Sequence, residues 1–466
     1  MNGFTVREHI PSILVATLSS AFGVSLLQVT TNLSILIAAD DVTGASGTVQ
    51  FILAIIAFVF IVIATYVGSI VTANTFATII AGRTRTIALM RIIGVTAASQ
   101  RRVVANEGLT VGIIGAISGL VLGTLATAVL IMVSVRTGFI PSLAYTFLEP
   151  IVLIPIFGVL LTTWFASRVG SRRVLTVSPM QATGAAIEES QEQAAGHRGR
   201  NAVAIVLFAF GTVILGLGVV VGLVSPAGVM IGVLGGILSF TGLVLGAQLV
   251  MPPALTLVGR MLGASPSAKL AAQNAVRYPE RSSRTTIGLV IGVTLVTMFA
   301  VATAGFQQMV DIARANEPAV YEGIDQVLTI TVVVFSVLIG FSALIAAVGM
   351  VNNLSLSVLQ RTRELGLLRA LGFTARQLRA MIRAESAQLV IASVLVGFTL
   401  GIAYGWAGAQ SMLGSMNGSP GLILPVVPLW LLGVVVIVAA VLTVAASIIP
   451  ARRATRITPI VALAVD

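Results

Sequence analysis

Residues 51–71 read FILAIIAFVFIVIATYVGSIV, a run that is apolar in every register. Barrel strands alternate apolar and polar residues over about ten positions, whereas a membrane-crossing helix needs about 20 apolar residues, so the run predicts a transmembrane helix. The 466-residue chain is 57% hydrophobic and 9% charged, and soluble globular proteins carry about 25% charged residues. This composition excludes a cytosolic enzyme and a disordered scaffold, and the lack of cysteine excludes a disulfide-stapled secreted domain.

About ten such runs are long enough to cross roughly 30 Å of hydrocarbon at 1.5 Å per residue. The sequence therefore predicts an all-α polytopic membrane protein. The expected spans lie near residues 10–37, 48–80, 104–134, 147–168, 202–224, 227–252, 285–307, 326–356, 385–409 and 424–449.

The basic residues predict how these spans are oriented. All 27 of them except Arg136 and Arg314 fall in loops on one side, and the other side holds acidic residues such as Asp40, Glu149 and Asp311. The positive-inside rule makes the basic side cytoplasmic, so we expect a multi-pass protein of the cell membrane with both termini in the cytoplasm. The net charge of +11 follows from the same bias and favours contacts with anionic membrane lipids rather than nucleic acid.

The chain contains an internal repeat. Residues 83–107 read RTRTIALMRIIGVTAASQRRVVANE, and residues 361–385 read RTRELGLLRALGFTARQLRAMIRAE, at a constant offset of 278 residues. The matched positions are mostly Arg, Gly, Thr and Glu, which argues against chance similarity of apolar helices. Six spans separate the copies, so both have the same orientation, as in a parallel duplication of a four-span unit. The identical pairs include Arg83 and Arg361, Arg85 and Arg363, Arg91 and Arg369, Gly94 and Gly372, Thr96 and Thr374, Arg101 and Arg379, and Glu107 and Glu385.

The repeated segment folds back at the cytoplasmic surface, because a span lies on either side of it. In the second copy Leu365, Leu368 and Leu371 form an apolar stripe at helical spacing. Gly372 followed by Thr374 predicts a helix end and a new helix start. Two interpretations remain open: an amphipathic helix lying on lipid headgroups, or a docking element for a cytoplasmic protein. The duplication favours a partner with two equivalent sockets, such as a dimer of identical subunits.

The second copy, RTRELGLLRALGFTARQLRAMIRAES at 361–386, resembles the coupling-helix signature of FtsX-like (MacB-type, LolC/E-type) ABC transporter permeases. The closing PARRATRITPIVAL at 450–463 and KLAAQNAVRYPERSSRTTIGLVIGV at 269–293 resemble other motifs of that family. The resemblance implies two parallel four-helix permease modules plus an inserted helix pair, similar to bacitracin-resistance permeases. The expected ranges are 1–180 for the first module, 181–200 for a cytoplasmic linker, 201–258 for the inserted pair and 259–466 for the second module.

The resemblance also implies that two copies of an ABC ATPase subunit, which carry the ATP and Mg, bind the cytoplasmic coupling helices. The chain has no G-x-x-x-x-G-K-[ST] phosphate loop, and we expect no cofactor, metal or enzymatic activity within it. Glu364, typical of the family, is Thr86 in the first copy, so we expect docking sites of unequal strength. The expected ATPase-coupling residues are Arg83, Arg85, Ile87, Met90, Arg91, Ile93, Val95, Arg361, Arg363, Glu364, Leu365, Leu368, Arg369, Leu371 and Phe373.

The expected outer loops are short, whereas most members of the family carry a sizeable extracytoplasmic domain. We therefore expect export or extrusion of a hydrophobic or amphipathic substrate (lipid, peptide or drug) that enters between spans one, two, seven and eight, with a possible accessory extracytoplasmic protein. The alternative is a non-transporting mechanotransmission or signalling module. An ion-driven secondary transporter would need carboxylates near span centres, but Glu107 and Glu385 lie where spans begin and are interpreted as interfacial anchors.

Overall fold

The computed structural model describes residues 6–39, 89–90, 92–170, 198–261, 266–277, 279–318 and 371–456, with isolated helical residues between 55 and 73 and between 332 and 340. Within these ranges the regular structure is helical throughout, without a β-strand, which confirms the predicted all-α fold. The helices are α1 (Val6–Ala38), α2 (Ala97–Arg136), α3 (Leu153–Gly170), α4 (Arg198–Gly222), α5 (Gly228–Leu245), α6 (Ala247–Met261), α7 (Pro266–Arg277), α8 (Pro279–Asn316), α9 (Ala375–Leu413) and α10 (Leu429–Arg456).

Six of these helices, namely α1, α2, α4, α5, α8 and α9, are long and apolar enough to cross a membrane. Shorter apolar stretches in α3 and α10 coincide with predicted spans four and ten. The predicted spans near 48–80 and 326–356 lie mostly outside the described residues, so the number of ten stays a prediction. Apolar side chains such as Val206, Val213 and Val220 of α4 are exposed, as expected for helices that face lipid.

Predicted span six, near 227–252, is interrupted in the structure. Helix α5 ends at Leu245, and α6 begins at Ala247 after a break at Gly246, whose N–H donates to Gly242 O at 2.8 Å. Helix α6 also contains Pro252 and Pro253, which lack a backbone N–H. Membrane helices contain Gly and Pro more often than soluble ones, so hydropathy gave no sign of this break.

The repeat appears in the packing of two helix pairs. Helix α1 runs parallel to α2, and α8 runs parallel to α9, with glycines at the contacts. A Cβ on Gly119 of α2 would lie 2.3 Å from Cβ of Ser20, and a Cβ on the matching Gly397 of α9 would lie 2.9 Å from Cβ of Val293. Small residues let two membrane helices approach closely, so the repeat preserves the close contact in both halves.

The inserted pair, α4 and α5, is a hairpin whose two backbones are in contact. A Cβ on Gly218 would lie 2.4 Å from the backbone N of Gly232. The same hairpin packs against the far end of α9, where a Cβ on Gly222 would lie 2.4 Å from Cα of Ser411. The largest cluster of buried apolar side chains described here draws residues from α1, α5, α6, α8 and α9. The inserted pair is therefore part of the packed structure and not a peripheral addition.

Candidate functional site

Helix α2 is preceded by a sharp turn, which we call the first repeat turn (residues 92–99). Gly94 has φ +97°, a value that residues with a side chain rarely adopt. The N–H of Val95 donates to Met90 O at 3.0 Å, the hydrogen bond of a Schellman helix end with Gly94 at its C′ position. Thr96 then begins α2, its hydroxyl accepting from the N–H of Ser99 at 3.2 Å. One glycine and one threonine thus end one helix and start the next.

Helix α9 is preceded by an equivalent turn, the second repeat turn (residues 371–377). Gly372 has φ +96°, and Thr374 has almost the same backbone angles as Thr96. Here the cap is stronger, because Thr374 and Gln377 form a reciprocal capping box. Ser99 occupies the position of Gln377 in the first repeat turn and is too short to complete the box. The helix start expected at Thr374 is confirmed, whereas the helix expected to end at Gly372 lies outside the described residues and stays a prediction.

Both repeat turns expose a large apolar side chain directly before the glycine, and the first repeat turn also exposes Ile92. Ile93 is 75% exposed and Leu371 is 72% exposed, and the two residues occupy matching positions directly before the glycine. Two exposed cations follow in the sequence, Arg102 in the second turn of α2 and Arg376 in the first turn of α9. Each repeat turn thus exposes apolar surface at the same place, with an exposed cation in the helix that follows.

The second repeat turn is held by two further helices. Leu378 and Met381, in the first two turns of α9, are fully buried against Ala271 of α7. Gln388 of α9 is buried and donates to Leu255 O of α6 at 2.8 Å. This packing anchors the first half of α9 to α6 and α7.

The structure places some of the expected coupling residues and leaves others undescribed. Met90, Ile93, Val95, Leu371 and Phe373 lie in or beside the repeat turns. Their role in docking stays a prediction. Outside the described residues are Arg83, Arg85, Ile87, Arg91, Arg361, Arg363, Glu364, Leu365, Leu368 and Arg369.

The two repeated glutamates differ in burial. Glu385 is buried near the start of α9, and Glu107 is half-buried at the matching place in α2. Both lie about ten residues after their helix begins, in the first third of the helix. Their interpretation as anchors near the membrane surface stays a prediction. Within the described residues, no group of three or more His, Asp or Glu is arranged to hold a metal ion.

A cavity that sequence reasoning did not identify lies between the inserted pair and the second half of the chain. Its empty space is about 1160 Å³, part of it open to the surroundings, and α4, α5, α8, α9 and helical residues near 59–67 line it. We call it the aromatic cavity because Phe240 lies edge-on to two tyrosine rings, 6.4 Å from Tyr66 and 6.1 Å from Tyr404 between centroids. The expected substrate route between spans one, two, seven and eight did not include the inserted pair.

The tyrosines of the aromatic cavity are tied to α5 by hydroxyl contacts. The Tyr66 hydroxyl lies 2.7 Å from Thr241 Oγ1, and the Tyr404 hydroxyl lies 3.0 Å from Ser239 Oγ. A buried tyrosine usually finds such a partner for its O–H. The one sequence feature that could have pointed to the cavity is the rarity of tyrosine. The chain has 5 tyrosines, and two of them, Tyr66 and Tyr404, lie inside apolar runs.

The loops at the other end of α2 and α9 are held by amide side chains. Asn32 of α1 donates to Thr146 O at 2.8 Å and accepts from its N–H at 2.9 Å. In the second half Gln410, which belongs to α9 itself, donates to Gly421 O at 2.7 Å and accepts from the N–H of Ile423 at 3.2 Å. Both loops are therefore fixed, although different helices hold them.

Comparison with known proteins places the repeat in a family. The chain matches the FtsX-like permease C-terminal family twice, over residues 58–179 and 336–459, which together make up more than half of the sequence. It is also 33% identical over 108 residues to the uncharacterized ABC transporter permease YknZ of Bacillus subtilis (strain 168). That similarity covers 23% of this chain and 26% of the relative, so the match spans about a quarter of each protein. Each matched range contains one of the two repeat turns and ends near the last span of its half of the chain. On the strength of these two matches, the chain belongs to the FtsX-like permease family.

Proposed function

We propose that this chain is the membrane-spanning subunit of an ATP-driven ABC transporter, and that a separate ATPase subunit supplies the energy. The observation that carries the proposal is the pair of repeat turns, which present Ile93 and Leu371 at matching, exposed positions. Two equivalent, though not identical, surfaces fit a partner that offers two equivalent sockets, and a dimer of identical ATPase subunits does so. The name of the B. subtilis relative, an ABC transporter permease, supports the same class.

In this proposal two ATPase copies bind the repeat turns on the cytoplasmic side, and ATP and Mg stay on the ATPases. Closure of the ATPase dimer moves the turns relative to one another. Helices α2 and α9, of 40 and 39 residues, continue from the turns without interruption and carry the motion across the membrane. The substrate exported or extruded is hydrophobic or amphipathic, because the expected outer loops are too short to form a folded domain and leave the substrate to the membrane part. An accessory extracytoplasmic protein could add to the complex on the outer side.

The proposal is tested by placing a charge on the repeat turns. The double variant Ile93→Asp and Leu371→Asp desolvates two carboxylates at the contact, so we expect at least about tenfold weaker association with the ATPase. The tagged chain is isolated from its native membranes, and co-purified ATPase and its hydrolysis rate are measured. The matched control is Leu424→Asp, since Leu424 is 85% exposed in the loop after α9, at the opposite end of that helix.

Unchanged association in the double variant, with a normally folded chain, would show that the repeat turns do not dock the ATPase. Equal losses in the double variant and in Leu424→Asp would point to a general folding defect. Association and stimulated hydrolysis without transport of any lipid, peptide or drug would instead favour a mechanotransmission module.

A further inference from the structure

The second half of the chain contains a long stretch without charge, and this stretch includes a loop. Residues 386–451 hold no Asp, Glu, Lys or Arg, and they comprise most of α9, the loop after it and most of α10. About a quarter of the residues in soluble proteins are charged, because water favours charged side chains at a surface. The lack of charge through this loop therefore favours surroundings other than bulk water.

The loop turns back along α9 after that helix has ended, and we call residues 421–424 the return segment. The Trp406 ring N–H donates to Ile423 O at 2.6 Å, and Gln410 bonds the same segment from one turn farther along α9. Both side chains belong to α9, which continues to Leu413. The return segment is therefore held beside the last two turns of the helix.

The return segment exposes two leucines. Leu422 and Leu424 are 63% and 85% exposed on either side of Ile423, whose backbone N–H and C=O are both hydrogen-bonded to α9. At the start of α10, Leu429 is 84% exposed and Trp430 is 53% exposed. We call these four exposed residues the apolar rim. Exposed apolar side chains continue from the rim along α10, so the rim joins the surface that this helix offers to lipid.

The lengths of α9 and α10 place the apolar rim at a membrane boundary. Arg452 is the first charged residue after the rim, roughly 34 Å from Leu429 along α10 at 1.5 Å per residue. Charged residues avoid the hydrocarbon, which is about 30 Å thick, so Leu429 lies near the boundary opposite Arg452. Counted from Glu385, the last charge before the rim, Trp406 stands roughly 32 Å along α9. Two helices thus give the same depth for the two ends of the rim.

We infer that the apolar rim rests in the lipid bilayer, at the boundary between headgroups and acyl chains, and anchors the ends of α9 and α10 there. Water would leave four large apolar side chains exposed, whereas this boundary buries them. Tryptophan is enriched at the same depth, because its ring is apolar and its N–H is polar. The hydrogen bonds from Trp406 and Gln410 hold the leucines in position. The anchor needs no ATPase and does not depend on the proposed function.

The chain contains no cysteine, so one introduced cysteine can carry a nitroxide spin label without further changes. Leu424→Cys reports on the apolar rim. The matched control is Ala315→Cys, which is exposed between two charged residues at the end of α8. That end lies beside the same loop, since Asn316 donates to Gly418 O at 2.9 Å. Val436→Cys, on the exposed side of α10, is the reference for the membrane interior.

The labelled full-length chains are reconstituted in vesicles of phosphatidylethanolamine and phosphatidylglycerol, without ATP or ATPase. Power-saturation EPR measures how often the label collides with O₂, which concentrates in the membrane, and with a water-soluble nickel complex. We expect the ratio of O₂ to nickel collisions at Leu424→Cys to exceed that at Ala315→Cys at least about threefold and to stay below that at Val436→Cys.

Equal ratios at Leu424→Cys and Ala315→Cys would place the apolar rim in water and overturn the inference. Infrequent collisions with both reagents at Leu424→Cys would show a protein contact, such as a second copy of the chain, and would also overturn it. A ratio as high as that at Val436→Cys would contradict the position at the boundary. Association with the ATPase is measured separately, so the anchor and the proposed function can each fail alone.

Discussion

Helices α2 and α9 occupy matching places in the two repeats but differ in their surroundings. Both follow a turn with a left-handed glycine, and both pack on a parallel first helix through glycines. In its most apolar stretch, however, α2 has 28% of the residues buried and α9 has 44%. Helix α2 packs mainly on α1 and α3, whereas α9 packs on α8 and also on the inserted pair, α6, α7 and α10. The duplication thus preserves the end of each helix at the repeat turn, and the insertion changes the surroundings of the other end of α9.

The largest expected effect concerns the inserted pair. Gly218→Leu forces a side chain into the backbone of Gly232, which a Cβ would already approach to 2.4 Å, so α4 and α5 must separate. We expect a loss of about 3 kcal/mol in stability, the upper end for overpacked sites. The midpoint of thermal unfolding in detergent measures it, with Gly216→Leu as the control. If both variants unfold at the same temperature, the hairpin does not pack as described, and the difference between α2 and α9 needs another cause.

An intermediate effect is expected at the two repeat turns. Gly94→Ala and Gly372→Ala each place a Cβ in a left-handed conformation, at a cost of about 1 kcal/mol, and neither Cβ would touch another atom within 4 Å. The penalty is therefore purely conformational and should be equal in the two halves. Thermal unfolding of the two single variants, measured side by side, checks this equality. Unequal penalties would mean that the two turns are not equivalent.

The smallest expected effect is the difference in stability lost when each of the two helix caps, Thr374 and Thr96, is removed. Thr374→Ala removes a reciprocal capping box with Gln377, whereas Thr96→Ala removes one bond to the N–H of Ser99. We expect a cost of about 1 kcal/mol for Thr374→Ala and about half of that for Thr96→Ala. Hydrogen exchange of the first-turn amides of α2 and α9 is sensitive enough to rank them. A larger loss of protection in α2 would contradict the assigned caps.

The sequence predicted the features that depend on local composition. Long apolar runs specified the helices, since no other structure satisfies the backbone within lipid except a closed barrel. A glycine followed two residues later by a threonine specified both repeat turns. The match between Gly119 and Gly397 could also be read from the sequence, because small residues mark close helix contacts.

Other features depend on how distant segments meet, and the sequence pattern does not contain that information. The aromatic cavity brings together Tyr66, Phe240 and Tyr404, which are far apart in the chain. The break at Gly246 was hidden because the apolar run continues through it. The bracing of α9 by Gln388 and Leu255 likewise joins two helices whose contact has no periodic signature.

The hydrogen bond from Gln388 to Leu255 O has a mechanical consequence. It lies 16 residues from Gly372 and 23 from Ser411, roughly 24 Å and 34 Å along the helix axis. Any displacement of α9 would therefore have to carry α6 with it through this bond. Since Gly222 rests on Ser411, the same displacement would also reach the inserted pair.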